Sequence, residues 1–374
     1  MKVGIITFHN SYNCGSMLES YAIYKYIENK GIDCEIVNFS NEGQKELYKI
    51  FKKNNSIKNI IRNSILLPHL KKLNFSNYKY EEFKKNNFKL SKEYNKSDEI
   101  VDYYDVVVAG SDQIWNITIK DFDDAYFLNW AKNSKKVAYS PSFGARKLSN
   151  YTKNIKKYCD YLKNFDAISI RENNGKKWIN EMIGIDVPVL IDPTLLFDSD
   201  EYDKIIDRDY KVPEQDYIFF YCPQFNVEIC KFVKQVSKKY NLPVIAWSAK
   251  SYYLKGVNRY NFQLPKYESP AVYLKLIKYA KLVFTTSFHG TIFSTIYRKK
   301  FYTIKNGEMY GDDDRVKTLL DNIKLSDRLI PFKYDENYDY MADINYDDYD
   351  KNLVLLRSMA DSYIEENICH SSKV

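Results

Sequence analysis

The chain has no Cys-x-x-Cys pair. Its six cysteines, Cys14, Cys34, Cys159, Cys222, Cys230 and Cys369, lie far apart, which argues against structural zinc and a disulfide framework and for a reducing compartment. No apolar stretch approaches the length of a membrane span, and residues 3–8 are too short for a signal-peptide core, so a cytoplasmic protein is expected. Histidine is scarce, at four residues. The first turn has one glycine, Gly15. It is neither a Gly-x-Gly-x-x-Gly loop nor a Walker loop, so neither a dinucleotide cofactor nor ATP hydrolysis is expected. Internal repeats and low-complexity tails are absent.

What is present is the composition of an ordinary folded protein, 45% hydrophobic and 28% charged. At 374 residues it exceeds the size at which one core stops growing, so two domains are the default. The 35 Tyr and 21 Phe accompany abundant Lys, Asn and Ile, the usage of an AT-rich genome, and no nucleic-acid platform is read from them. The net charge of +7 is uneven: residues 41–96 hold 14 Lys/Arg against 5 Asp/Glu. Such a segment suits an anionic lipid surface or substrate, with a solvated helical face as the alternative.

Along the chain, Lys2–Phe8 reads as a strand and Ser16 as the cap of a helix running to about Lys30. Cys34–Phe39 reads as the next strand, and two or three helices fit into residues 41–96. Strands follow at 106–109, 137–140, 167–170 and 187–191, each ending in small, polar or charged residues. A second set lies near 216–221, 243–247, 282–286 and 301–304, separated by helical stretches near 226–240, 269–280, 290–298 and 313–323. This order predicts an α/β fold of two Rossmann-like domains facing across a cleft. The first spans 1–198 with the basic insertion at about 41–96, the second spans 199–345, and a helix within 346–374 packs back on the first.

In such sheets ligands sit beyond the carboxyl ends of the strands. His289 stands there, at the crossing from the apolar run Leu282–Phe284 into a new helix. With its own turn, Ser287-Phe288-His289-Gly290, go several others: Phe8-His9-Asn10-Ser11-Tyr12-Asn13-Cys14-Gly15-Ser16 followed by Leu18-Glu19-Ser20-Tyr21-Ala22, Gly110-Ser111-Asp112-Gln113-Ile114-Trp115-Asn116, Ser142-Phe143-Gly144, Ser169-Ile170-Arg171-Glu172 and Asp192-Pro193-Thr194. In chain order, from about residue 1 to 330, they resemble the polysaccharide pyruvyl transferase family. The resemblance implies a GT-B-like fold and transfer of a pyruvyl group from phosphoenolpyruvate to sugar hydroxyls as a ketal, with phosphate released. It implies no metal and no cofactor beyond that donor substrate. The partner is a glycan acceptor, free, nucleotide-linked or lipid-linked, at the inner face of the membrane if residues 41–96 bring it there; no nucleic acid is expected.

The residue types suit that chemistry. Arg171 offers a planar fork for a carboxylate or phosphate, and the helix starting near Gly290 can aim free N–H groups at an anion. His289 titrates in the range needed to give a proton to the donor's methylene carbon or to take one from a hydroxyl. His289 and Arg171 are therefore the catalytic candidates, with Arg171, Ser287, Phe288, Gly290, Thr291 and Arg315 for the donor. His9, Asn10, Asn13, Gly15, Ser111, Asp112, Gln113, Asn116, Ser142 and Phe143 are the acceptor candidates. The acidic run Asp312–Asp314 reads as a cap of the helix that holds Arg315. Some branches of the family carry an arginine where this chain has Ser287, so another cation must take that load. Two alternatives stand beside this reading: a GT-B-type glycosyltransferase using a nucleotide sugar, and a non-catalytic glycan-binding or scaffold relative.

Overall fold

The computed structural model describes residues 1–370. The first half opens with β1 (Lys2–Ile6), α1 (Cys14–Asn29) and β2 (Asp33–Ile36). Three helices follow, α2 (Glu42–Tyr48), α3 (Ile57–Leu66) and α4 (Leu70–Asn87). Then come β3 (Val106–Ala109), β4 (Lys135–Ala138), α5 (Ile155–Lys163), β5 (Ala167–Ile168), α6 (Asn173–Ile183) and α7 (Ser199–Asp203). The second half begins with β6 (Ile218–Tyr221), α8 (Val227–Tyr240), β7 (Val244–Trp247), α9 (Ala249–Leu254) and α10 (Pro270–Tyr279). It continues with β8 (Leu282–Thr285), α11 (Phe288–Ile296), β9 (Lys300–Ile304), α12 (Arg315–Asn322), β10 (Leu329–Ile330) and α13 (Asp347–Ile364).

Both sheets are parallel and five-stranded, ordered β2-β1-β3-β4-β5 and β10-β9-β8-β6-β7. Every residue of β3, β6, β7 and β8 is buried. Helices cover both faces of a parallel sheet, so its strands are continuous apolar runs rather than alternating ones. The cleft lies between the carboxyl ends of the two sheets.

Two segments tie the halves together. The α2–α4 insertion crosses to the second half, where Lys250 Nζ donates to the Lys49 carbonyl at 2.8 Å and His69 stacks on Tyr253 at 3.5 Å. Helix α13 returns to the first half: Asp361 accepts from Tyr26 and Lys30, both at 2.6 Å, and Arg357 Nε donates to the Leu195 carbonyl at 2.6 Å. No helix among the described residues is long and apolar enough to cross a membrane.

Three local expectations are corrected. Asn13, not Ser16, caps α1, its Oδ1 accepting from Gly15 N at 3.0 Å. Ser16 lies inside the first turn. Residues 187–191 form no sheet strand and make one isolated bridge, Ile170 to Val189, because β5 ends after two residues. The acidic run does more than cap: Asp313 grips the Arg315 guanidinium at 2.8 and 2.6 Å, while Asp314 accepts from Asn174 N of α6 at 3.0 Å.

Candidate functional site

His289 sits in the first turn of α11, directly after β8. Thr285 Oγ1 accepts from Ser287 N at 2.9 Å, and Ser287 Oγ accepts from Gly290 N at 3.3 Å, so the strand-to-helix turn is closed by its own hydroxyls. The imidazole projects onto the first turn of α1 from the other half of the molecule. There Nε2 lies 3.4 Å from Glu19 Oε2 and 3.5 Å from Asp192 Oδ2. These are ion-pair distances without hydrogen-bond alignment, and Nε2 and both Glu19 oxygens are left without a hydrogen-bond partner. Arg171 donates to the same Asp192 Oδ2 at 2.8 Å and stands 3.9 Å from both Glu19 Oε2 and Asp112 Oδ1. The Phe288 ring lies 4.3 Å from its guanidinium carbon, a cation–π contact.

Burial opposes charge on His289, but Asp192 and Glu19 outweigh it and push its pKa up to about 10. For Glu19, burial acts with the nearby Asp112 and Asp192 charges and pushes the carboxyl up to about 8. Asp192 resists its own burial because His289, Arg171 and Thr194 all favour its charged form, and its pKa falls. Asp192 is therefore the charged partner that most favours the imidazolium, while Glu19 leans toward its neutral acid. This site holds protons ready to give; it does not offer a free imidazole base.

The trio also has metal-ligand reach, its three atoms lying within 4.8 Å of one another. A divalent cation there would have to share Asp192 with the Arg171 guanidinium, and a proton fits that charge balance better.

Two lobes of the cleft meet at Gln113, Pro223 and Gln224. One, of about 710 Å³, carries Lys255, Arg259 and Arg315 on its wall and no carboxylate, and it includes the start of α8 at Asn226 and Val227. The other, of about 610 Å³, is lined by Tyr12, Tyr48 and Tyr80 together with Asn13, Ser16, Asp112, Lys250 and Glu268. Asp112 adopts φ 66° and accepts from Ser16 Oγ at 2.6 Å and Gln113 N at 2.7 Å. The His289 cluster lies immediately behind the wall that Asn13, Ser16 and Asp112 form.

Of the residues expected to bind acceptor, Asn13, Asp112 and Gln113 line the cleft. The others do not. His9 is fully buried, its nitrogens against the Thr7 carbonyl at 3.3 Å and Asn38 Oδ1 at 3.1 Å, and burial pulls its pKa down to about 4. Asn10 accepts from Lys84 at 2.6 Å. Ser111 donates to the Ser140 carbonyl, and Asn116 holds Thr118. Ser142 Oγ and Phe143 N both bind Glu172, whose carboxyl burial pushes up to about 7. The Phe143 ring is core, packed on Trp115 and Trp178.

Among the donor candidates, Arg315 lines the cationic lobe. Thr291 is buried against Thr303 Oγ1 at 2.6 Å, and Gly290 packs against Thr285, where a Cβ would lie 2.2 Å from Oγ1. Ser287 is the cap, and Phe288 covers Arg171. Arg171 itself is paired and buried, so it positions Asp192 rather than facing the cleft.

Glu19 and Asp192 stood within the family turns without a role in the expected site. Glu19 had a signal: a carboxylate on the apolar face of α1, between Leu18 and Tyr21. Tyr12 stood in the first of the family turns; Tyr48 of α2, Tyr80 of α4, Lys255 and Arg259 carried no signal, being ordinary residues far apart in the chain.

Gly15, expected at the acceptor, instead makes room for the imidazole. A Cβ there would lie 2.4 Å from His289 Nδ1. Gly15→Ala should displace the ring from Glu19 and Asp192 and lower turnover about 10- to 100-fold. Circular dichroism and steady-state kinetics check both halves of that expectation; an unchanged rate would free the ring of any need for this contact.

Similar folds occur in solved structures, all remote in sequence. A UDP-N-acetylglucosamine 2-epimerase matches with TM-score 0.53 and 9% identity over 100% of this chain and 97% of its own. A putative UDP-N-acetylglucosamine 2-epimerase from Listeria monocytogenes matches with TM-score 0.50 and 11% identity over 99% and 97%. The S. aureus MnaA structure with UDP matches with TM-score 0.50 and 12% identity over 100% and 98%. At these identities they establish the GT-B-like fold alone. No curated protein matches the chain. The profile of the polysaccharide pyruvyl transferases matches residues 13–308, a span that holds α1, Arg171, Asp192 and His289. The chain belongs to the polysaccharide pyruvyl transferase family, and so to the transferases.

Proposed function

We propose that the protein transfers the pyruvyl group of phosphoenolpyruvate to two hydroxyls of a cell-surface polysaccharide or its precursor. The observation that carries this reading is the His289 imidazole, set 3.4 Å from Glu19 and 3.5 Å from Asp192, two carboxyl groups that favour its protonated form. The donor's carboxylate and phosphate fit the lobe of Lys255, Arg259 and Arg315, which the positive end of α8 also faces through Asn226 and Val227. The acceptor fits the tyrosine-lined lobe, whose aromatic faces and amide and carboxylate groups suit a sugar's C–H and hydroxyl surfaces.

With its anionic groups in the cationic lobe, the donor turns its methylene carbon past Gln113, where the lobes meet, toward His289, which gives it a proton; that carbon becomes the methyl group and the adjacent carbon turns oxocarbenium-like. One hydroxyl attacks it, the bond to phosphate breaks, and the second hydroxyl closes the ketal. The two hydroxyl protons balance the reaction: one restores His289 and the other leaves with phosphate. Asp112, on the acceptor side, takes the proton of the attacking hydroxyl and passes it to the departing phosphate.

Incubation with phosphoenolpyruvate and a panel of glycans tests this, following phosphate release and product mass. Nucleotide release from a nucleotide sugar in its place would overturn it. Arg315→Gln should raise KM for phosphoenolpyruvate about 10- to 100-fold, the worth of one charge-assisted contact, with a smaller change in kcat. An unaltered KM would move the donor out of this lobe.

A further inference from the structure

From Phe51 to Tyr80 the chain carries seven Lys/Arg and not one carboxylate. In that stretch the apolar side chains do not all turn inward. Ile57, Ile60, Ile61 and Ile65 of α3 are 77%, 48%, 56% and 39% exposed, and Leu67 beyond it is 60% exposed. Their spacing puts them on one stripe of the helix. The opposite face is the one that packs, Leu66 lying beside Leu73 of α4 against Ala249 of the second half. Exposed Lys53, Lys58 and Lys71 flank the stripe. A hollow of about 660 Å³ beside it opens between Lys49, Lys53, Arg62 and Lys120, its only carboxylates being Glu42 and Glu46.

A folded chain seldom leaves a ladder of isoleucines in water. Ringed by cations, such a face matches an interface that is apolar inside and anionic at its edge. We propose that α3 is an in-plane membrane helix that docks the protein on an anionic bilayer, with the isoleucine stripe among the acyl chains and the lysines at the lipid phosphates. The same insertion supplies Leu47, Tyr48, Ile50, Leu73 and Tyr80 to the acceptor lobe, so docking would bring that lobe to the bilayer surface. The proposal does not depend on the donor assignment.

The test is co-sedimentation of the full chain with vesicles of phosphatidylcholine alone and with phosphatidylglycerol added. Anionic vesicles should bind at least tenfold more tightly, and the difference should shrink as salt rises. Ile60→Asp with Ile61→Asp should abolish binding to both. Lys53→Glu with Lys58→Glu should remove the preference for anionic lipid. All variants should keep the wild-type circular dichroism and the wild-type rate on a water-soluble acceptor, because none of these residues lines the cleft. Equal binding to both vesicles, or none, overturns the proposal. So does a dimer in sedimentation velocity that the isoleucine variants dissociate, since the stripe would then face a second copy of the chain.

Discussion

His289→Gln is expected to lower phosphate release from phosphoenolpyruvate by about 10²–10⁴-fold, the range for loss of a positioned proton donor. Glutamine keeps a polar side chain of similar reach and cannot supply the proton. Glu19 and Asp192 face the ring from α1 and from the Asp192–Thr194 turn, and Arg171 faces it across Asp192. Those carboxylates push the imidazole up to about 10, so it carries its proton throughout the neutral range. An acid catalyst works below its pKa and fails above it. The wild-type rate should therefore be level from about pH 6 to pH 8 and fall on the alkaline side, as Glu19 and then His289 lose their protons as a coupled pair. A rate that climbs between those two values would mean that the neutral imidazole is the working form, which reverses the assigned role.

Arg171→Ala should act first on stability, by about 3–5 kcal/mol, the cost of leaving a buried charge without its partner. The guanidinium is 4% exposed, bonded to Asp192 at 2.8 Å and covered by Phe288. Its removal leaves Asp192 charged, buried and supported on that side by His289 alone. Denaturant unfolding reads the loss directly. Activity should fall as well, because Asp192 then shifts and the imidazole with it. Wild-type stability with lost turnover would contradict this and return Arg171 to the donor. That outcome is what the sequence led one to expect, since a guanidinium at a strand end looks free until its partner is seen.

The fold was readable because its signals are local. Apolar runs such as Val106–Val108 and Leu282–Phe284 end in turn residues, and in a covered parallel sheet that alternation of strand, turn and helix recurs with little ambiguity. The placement of His289 at a strand-to-helix turn was legible for the same reason. What surrounds it was not. Glu19, Asp192 and His289 come from three parts of the chain, and nothing in their spacing announces that they meet. Motif membership also misled: Phe143 belongs to a family turn and Thr291 directly follows one, yet both fill the interior, because a turn at the base of a cleft needs packed residues as much as exposed ones. Ser287 is the clearest case. It stands where some relatives carry an arginine, and it caps α11, while the cations of the carboxylate-free lobe come from Lys255 and Arg259 beyond α9 and from Arg315 on α12.

The role of His289 as proton donor can be read from the product. In D₂O, with phosphoenolpyruvate and a glycan that is turned over, the pyruvyl methyl group of the ketal should carry one deuterium, and His289→Gln should yield neither that product nor phosphate at a comparable rate. A ketal formed by His289→Gln at the wild-type rate, with the same deuterium in its methyl group, would contradict the assignment.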